Sequence, residues 1–503
     1  MHLLDKIEFQ ARTNPNLVAM TNAGESLTYA RLWQLIVRVA NGAIADGAKP
    51  GERFLFAAKP SPTSLAVTLG LVRAGLTLVF VDPFSAPNLF KVRAELVQPR
   101  YVVADGLLYL LGHKSLGLLR RLAKLPLCNY AEVTSAKHLF LGLRMPGLPA
   151  GSQPISEWFA GAAYSSDEIK CAENLLPKLD PNQPAIITFT SGTTGDPKGV
   201  VHSLATISAN IDNFGAEFNV QPREVIYSEP MTVGIVALSH GANWVIPDKR
   251  TAPPRNIDLL FGVPTDILEF LKHNHTVSIK AAATGAAPVL PSLVRAMNDA
   301  FGEQCRIVNV YGMTEMLPVA TCDARLKAGY VGGDLLGKPI GDTQIKIQAD
   351  GEIMVRGSGL MKHYFGREPQ PWHPTGDLGF VDEAGRLVMI GRKKNMLIRG
   401  NKNVYPSLYE PSITTIEGVA DAALVGTPNE FGDDQIVLFI APETSANSNA
   451  VLERVRKNIR NFVDADALPD RIEMIAQMPT AGRSNKRDIS ALNALAAALF
   501  EAK

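Results

Sequence analysis

Along residues 27–45 (LTYARLWQLIVRVANGAIA) apolar side chains return every third and fourth position, which predicts an amphipathic helix with Thr28 as its N-terminal cap. Continuous apolar runs at 54–56 and 78–81, bounded by Gly and Pro, flank a helical stretch at 65–74. That strand–helix–strand alternation predicts a parallel sheet covered by helices. Similar short strands are expected at 101–103, 185–187, 281–283 and 306–310. Beyond about Asp342 the texture changes to alternating strands at 344–347 and 352–355, which suit a smaller antiparallel sheet. From Arg392 a third character begins, with strands at 422–426 and 435–440 and a helix at 450–462. The expected fold is therefore α/β. A large N-terminal region of helix-covered mixed and parallel sheets, with a small antiparallel sheet, precedes a small α+β C-terminal lobe.

A chain of 503 residues exceeds one ordinary core, so at least two domains are expected. Hydrophobic residues at 46% and charged residues at 20% match a globular protein. A formal net charge of +1 provides no basic field for nucleic acid, so nucleic acid is not expected as a partner. Cys128, Cys171, Cys305 and Cys322 form no CxxC pair, which suggests neither zinc nor a disulfide framework and fits a reducing compartment. The first residues show no basic segment leading into an apolar run, and no run reaches the length of a membrane span. A cytoplasmic location is expected. The leucine-rich stretch 107–125, with interspersed Lys and Arg, reads as a surface helix; peripheral membrane contact is the weaker alternative.

The most specific segment runs from Ile186 into Thr190, Ser191, Gly192, Thr193, Thr194, Gly195, Asp196, Pro197 and Lys198. Glycines let backbone approach a polyanion, hydroxyls and N–H groups donate to phosphate oxygens, and Lys198 adds a point charge. Gly199 follows the lysine where a GxxxxGK[ST] loop needs Ser or Thr, so it is not that loop. Composition alone leaves an ordinary Ser/Gly/Thr turn open.

Thr190 to Gly199 resembles the phosphate-loop signature of the adenylate-forming (ANL) superfamily, which contains acyl-CoA synthetases, peptide-synthetase adenylation domains and luciferases. Further motifs of that superfamily follow in order over roughly residues 27 to 490. The resemblance implies a large N-terminal domain at 1–393 with the acyl and ATP sites, and a mobile C-terminal domain at 394–503. Gly285, Ala286 and Ala287 match its adenine segment, which by itself reads as strand-end packing. Tyr311, Gly312, Met313, Thr314 and Glu315 match its YGxTE motif. The resemblance implies that Tyr311 stacks on adenine, Thr314 bonds the α-phosphate and Glu315 holds Mg²⁺, a hard cation suited to carboxylate and phosphate oxygens.

Asp377, in Thr375-Gly376-Asp377-Leu378-Gly379, reads locally as a turn former; the resemblance implies that it accepts from both ribose hydroxyls. Arg392 is implied near ribose and phosphate, and Lys394 at the hinge. Lys486, in a basic loop that otherwise reads as a solvated turn, matches the mobile catalytic lysine, although Asn485 replaces the usual glycine. Lys486, Thr314 and Glu315 are thus the expected catalytic residues.

The resemblance implies activation of a carboxylic acid by ATP to an acyl-adenylate with release of pyrophosphate, then transfer to CoA. ATP, Mg²⁺ and CoA are the implied cofactors, and lipid or secondary metabolism the implied setting. The loop expected to line the CoA tunnel carries Gly400 and Asn401 where relatives have two glycines; Asn tolerates left-handed backbone but is bulkier. Met231 and Thr232 also stand where many relatives have an aromatic and a His. Other segments, including Val81-Asp82-Pro83 and Arg483-Ser484-Asn485-Lys486, resemble olefin β-lactone synthetases, in which the substrate's own hydroxyl displaces AMP. A β-lactone synthetase is therefore the alternative expectation, and a non-catalytic ligand-binding paralogue a third.

Overall fold

The computed structural model of the chain describes residues 1–81, 87–113, 128–160, 165–189, 198–273, 277–399, 402–429, 434–444, 446–464, 467–481 and 486–501. It divides into two compact units that interleave along the sequence. One comprises Met1–Leu259, Thr314–Leu317 and Ser358–Pro371; the other comprises Leu260–Met313, Pro318–Gly357 and Trp372–Lys503.

In the first unit, Thr28 begins the helix Tyr29–Ala45 by accepting from the Arg31 N–H at 3.3 Å. Leu32, Ile36, Val37, Ala40 and Ala43 form its buried stripe, as the period of three and four requires. An eight-stranded sheet runs in the order His363–Tyr364, Gly199–Ser203, Pro184–Phe189, Thr77–Phe80, Arg53–Ala57, Tyr101–Asp105, Lys137–Leu141, Gln153–Pro154. Its first two pairings are antiparallel and the rest are parallel. Leu55, Ala57, Val79, Val102, Ala104 and Ile187 share one core beneath it, because alternate residues of a strand face the same side. The helix at 65–74 is observed as Pro62–Arg73, starting at a Ser61 capping box.

In the second unit, strands Ser278–Gly285 and Arg306–Met313 lie side by side in parallel. The sheet continues through Met316–Asp323, Asp334–Pro339, Leu387–Arg392, His373–Val381, Glu352–Arg356 and Gln344–Ile347. The pairings from Met316–Asp323 onward are antiparallel, as the alternating texture past Asp342 predicts. The C-terminal part of the same unit has its own sheet, in which Val419–Pro428 pairs antiparallel and Arg471–Met474 pairs parallel with Asp434–Pro442. Both faces of this sheet are covered. Ala422, Leu424, Ile436, Leu438 and Ile440 join one core, while Ala423, Val425, Val437 and Phe439 join another with Leu492 and Ala496 of the helix Ile489–Glu501. Two-sided burial explains why those strands read as unbroken apolar runs rather than alternating ones.

The leucine-rich stretch shows a helix at Gly106–Gly112 with Leu107 half exposed; its remainder at 114–125 lies outside the described residues. Among the described residues no helix is long and apolar enough to cross a membrane.

Candidate active site

Within the first unit, Lys198 immediately precedes the strand Gly199–Ser203. The Lys198 ammonium lies 5.5 Å from the centre of the Tyr364 ring, a cation–π contact. The Tyr364 hydroxyl donates to Glu315 Oε1 at 2.7 Å. Burial, and then the hydrogen bond to Glu315 and its charge, hold that hydroxyl's pKa far above the usual phenol value. The segment bearing Tyr364 is tied down by its backbone: the Met361 N–H donates to the Glu315 carbonyl and the Phe365 N–H to that of Gly199.

His202 belongs to the same cluster. Its Nε2 lies 2.8 Å from the Thr314 carbonyl and its Nδ1 lies 3.0 Å from Thr206 Oγ1. A carbonyl only accepts, so Nε2 carries the proton and Nδ1 accepts from the threonine hydroxyl. Burial pushes the His202 pKa down, against the upward pull of that carbonyl and of Glu315. Lys198, Thr314 and Glu315 are therefore gathered by two residues that local pattern reading missed, Tyr364 and His202. A histidine inside the apolar run Val200-Val201-His202 was the available signal for the second. Thr190, Ser191, Gly192, Thr193 and Thr194 lie outside the described residues.

Within the second unit, Gly285 pairs with Val310, so the segments 285–287 and 311–313 lie at the carboxyl ends of adjacent parallel strands. That end of an α/β sheet is where ligands are commonly bound. A Cβ on Gly285 would meet the Val310 carbonyl oxygen at 2.1 Å, so only glycine fits. Ala286 is exposed and has φ +63°, a left-handed backbone that a non-glycine residue rarely adopts and that gathers at functional sites.

Tyr311 projects from the strand end and donates its hydroxyl to Asp377 Oδ2 at 2.7 Å. Burial, and then Asp377, push the Tyr311 pKa well up. Asp377 is 2% exposed. Its Oδ1 lies 2.9 Å from Arg392 Nε yet accepts no hydrogen bond from the described residues, because the pair is not aligned for one. A buried carboxylate oxygen left with an open lone pair is costly unless a ligand donor completes it. The segment around Asp377, expected as a turn, is instead part of the strand His373–Val381, with a register shift between Leu378 and Gly379 and Gly376 at φ +74°. The irregularity replaces the turn: it directs the Asp377 side chain inward while the ladder continues.

Arg392 ends the strand Leu387–Arg392, and Lys394 follows in a short 3₁₀ turn. Both line a cleft of about 220 Å³ with Ser407, Glu410 and Asn493. Lys486 is solvent-accessible but lies within electrostatic reach of Arg392, Asp377 and Lys394. The surrounding protein first, and Arg392 next, hold its ammonium below the usual lysine value; Asp377 pulls the other way and Lys394 adds to the lowering. Gly400 and Asn401 lie outside the described residues.

The sequence profile of AMP-binding enzymes matches residues 7–365. The chain belongs to that family, and with it to the adenylate-forming superfamily. A feruloyl-CoA synthase of Amycolatopsis sp is 25% identical to this adenylate-forming enzyme over 94% of its chain and 95% of the relative. The amide bond synthetase McbA of Marinactinospora thermotolerans has the same fold, with TM-score 0.76 at 20% identity over 97% of this chain and 99% of that one. So does the o-succinylbenzoate CoA synthetase MenE of Bacillus subtilis in complex with its acyl-adenylate intermediate, with TM-score 0.73 at 18% identity over 97% of each chain.

Proposed function

We propose that this enzyme uses ATP to convert a carboxylic acid to an acyl-adenylate and then passes the acyl group to CoA. The observation that carries the reading is the buried Asp377 carboxylate, hydrogen-bonded by Tyr311 and ion-paired with Arg392, whose Oδ1 accepts no hydrogen bond from the described residues. A ribose diol supplies the donors that oxygen lacks. Tyr311 offers an adenine a ring beside the glycine-fitted strand end at Gly285, with Ala286 and Ala287 against the base and Gly312 and Met313 continuing that edge.

In the first half-reaction a carboxylate oxygen of the acid attacks the α-phosphorus of ATP, and the bond from that phosphorus to the β-phosphate bridging oxygen breaks. Pyrophosphate leaves with the electron pair. Charge gathers on the oxygens around the α-phosphorus, where fixed cations stabilise it most. Lys486 and Arg392 are assigned the role of those cations. Lys198, the loop residues Thr190, Ser191, Gly192, Thr193 and Thr194, and the Thr314 hydroxyl are assigned the role of donors to the phosphates. Glu315 fits a magnesium ion, because one hard carboxylate suffices for an ion that otherwise keeps waters and substrate phosphates; the ion would neutralise the pyrophosphate leaving group.

In the second half-reaction the CoA thiol attacks the acyl carbonyl carbon, the carbon–oxygen bond to AMP breaks, and the thiol proton passes to solvent. Segment 394–503 is assigned the role of a mobile domain pivoting at Lys394, with Gly400 and Asn401 lining the pantetheine path. The feruloyl-CoA synthase likeness supports CoA as acceptor.

ATP–pyrophosphate exchange over a panel of carboxylic acids tests the first step, and CoA addition tests the second. Exchange with at least one acid, and a thioester once CoA is present, is the expected result. AMP release from a 3-hydroxy acid without CoA would move the assignment to lactone formation. Absence of exchange with every acid would overturn adenylation. Lys486→Ala is expected to abolish exchange while ATP binding, read by calorimetry, stays within about threefold of wild type. A Lys486→Ala enzyme that exchanges at the wild-type rate removes the lysine from the chemistry.

A further inference from the structure

Arg487 stands next to Lys486, and the two form a strand of two residues paired with Thr480–Ala481, Ala481 opposite Lys486 and Thr480 opposite Arg487. Successive side chains of a strand point to opposite faces. Whatever fixes the direction of Arg487 therefore fixes the direction of Lys486. Arg487 is fixed from two sides. Its Nη1 donates to Glu410 Oε2 at 2.8 Å and its Nη2 to Asp421 Oδ1 at 2.5 Å. The pair is well shielded, with the guanidinium and Glu410 each at 16% side-chain exposure.

Both carboxylates are themselves held. Glu410 Oε1 accepts from the Leu424 N–H at 2.9 Å, and Asp421 Oδ1 accepts from the Ala422 N–H at 2.8 Å. Burial alone would push the Arg487 guanidinium down, but Glu410 and Asp421 more than offset it and hold it above its usual value. The ends of the hairpin are secured as well. Met478 sits in the C-terminal core, the Asp488 N–H donates to the Pro479 carbonyl, and Asp488 accepts from Ala491 at the start of the final helix.

We infer that Arg487, forked between Glu410 and Asp421, is a positioning residue that aims the Lys486 ammonium toward Asp377 and Arg392. The inference rests on the proposed role of Lys486 and adds the device that sets its direction. A planar guanidinium with two parallel donor edges suits this better than a point charge, because two carboxylates fix its plane as well as its place. A misplacement of about 1 Å at a catalytic group costs on the order of a hundredfold in rate.

The test combines kinetics with a readout independent of turnover. Arg487→Met is expected to lower kcat for ATP–pyrophosphate exchange roughly 10- to 100-fold with ATP KM within about twofold, and Arg487→Lys to restore part of the loss. In parallel, acetylation of Lys486 is followed across pH by peptide mass spectrometry in the full-length protein. A freed lysine leaves the burial, and then the Arg392 charge, that hold its ammonium down, so its labelling midpoint is expected to rise in Arg487→Met. Glu410→Gln retains an acceptor for Leu424 and loosens only the clamp; it should give the same two changes in smaller measure, and it serves if Arg487→Met does not fold. An unchanged midpoint and unchanged kcat in either folded variant overturn the inference, even with Lys486→Ala inactive. A raised midpoint in a protein that shows no exchange with any acid leaves the positioning in place and overturns the adenylation reading instead.

Discussion

The Tyr364 side chain serves two charges at once, its hydroxyl on the Glu315 carboxylate and its ring beneath the Lys198 ammonium. Phenylalanine would keep the ring and remove only the donor. A hydrogen bond to a charged group contributes about 1.5–3 kcal/mol, so Tyr364→Phe is expected to slow exchange on the order of tenfold, and Tyr364→Ala further. Wild-type exchange by the Phe variant would show that the hydroxyl does not hold Glu315 for the reaction. Tyr311, Thr314, Glu315, Asp377 and Lys486 could be proposed from the sequence because each stands in a short run whose residue types and order are distinctive. Tyr364, His202 and Arg487 were not. Their partners lie 49, 112 and 66 to 77 residues away, and no local period encodes a contact at such separations.

Elements were readable where a single period ruled them. The helix Tyr29–Ala45 has its expected stripe and cap, and the parallel strands lie where apolar runs placed them. The strand His373–Val381 was hidden because Gly376 and Gly379 suggest a turn, whereas its continuity depends on Glu352 from the neighbouring strand. Glu352 is 8% exposed; its Oε1 accepts from the Gly376 N–H at 3.0 Å and its Oε2 meets Lys393 Nζ at 2.9 Å. Lys393 also reaches Asp350, and these hydrogen bonds raise its pKa above the usual lysine value. Removing the acceptor leaves a shielded N–H unpaired, which costs about 1–3 kcal/mol. Removing the half-exposed lysine breaks a solvent-screened pair. Glu352→Ala is therefore expected to lower the urea midpoint clearly more than Lys393→Met. Equal shifts would mean that the lysine pair, not the backbone contact, secures the irregular strand.

At the scale of the whole molecule, acid sensitivity follows from histidines that fold in the neutral form. Burial lowers the pKa of both His202 and His138. A depressed folded value means that protons bind the unfolded chain more readily. The stabilisation is thus complete above the ordinary histidine pKa of about 6.5 and is lost as pH falls through the folded values. Thermal midpoints are expected to drop between pH 7.5 and 5, and His202→Gln, which keeps a donor for the Thr314 carbonyl, should flatten that slope. An identical slope in the variant would exclude His202 as a contributor.

The interleaving of the two units has a consequence for synthesis. The eight-stranded sheet ends at His363–Tyr364, which pairs with Gly199–Ser203, so the sheet closes only after about 160 further residues have left the ribosome. Throughout that interval the nascent chain carries a strand edge with unpaired N–H and C=O groups, a template for joining another chain. The short return segment Ser358–Pro371 thus acts late, as the stitch that protects a hydrophobic sheet from its neighbours on the polysome.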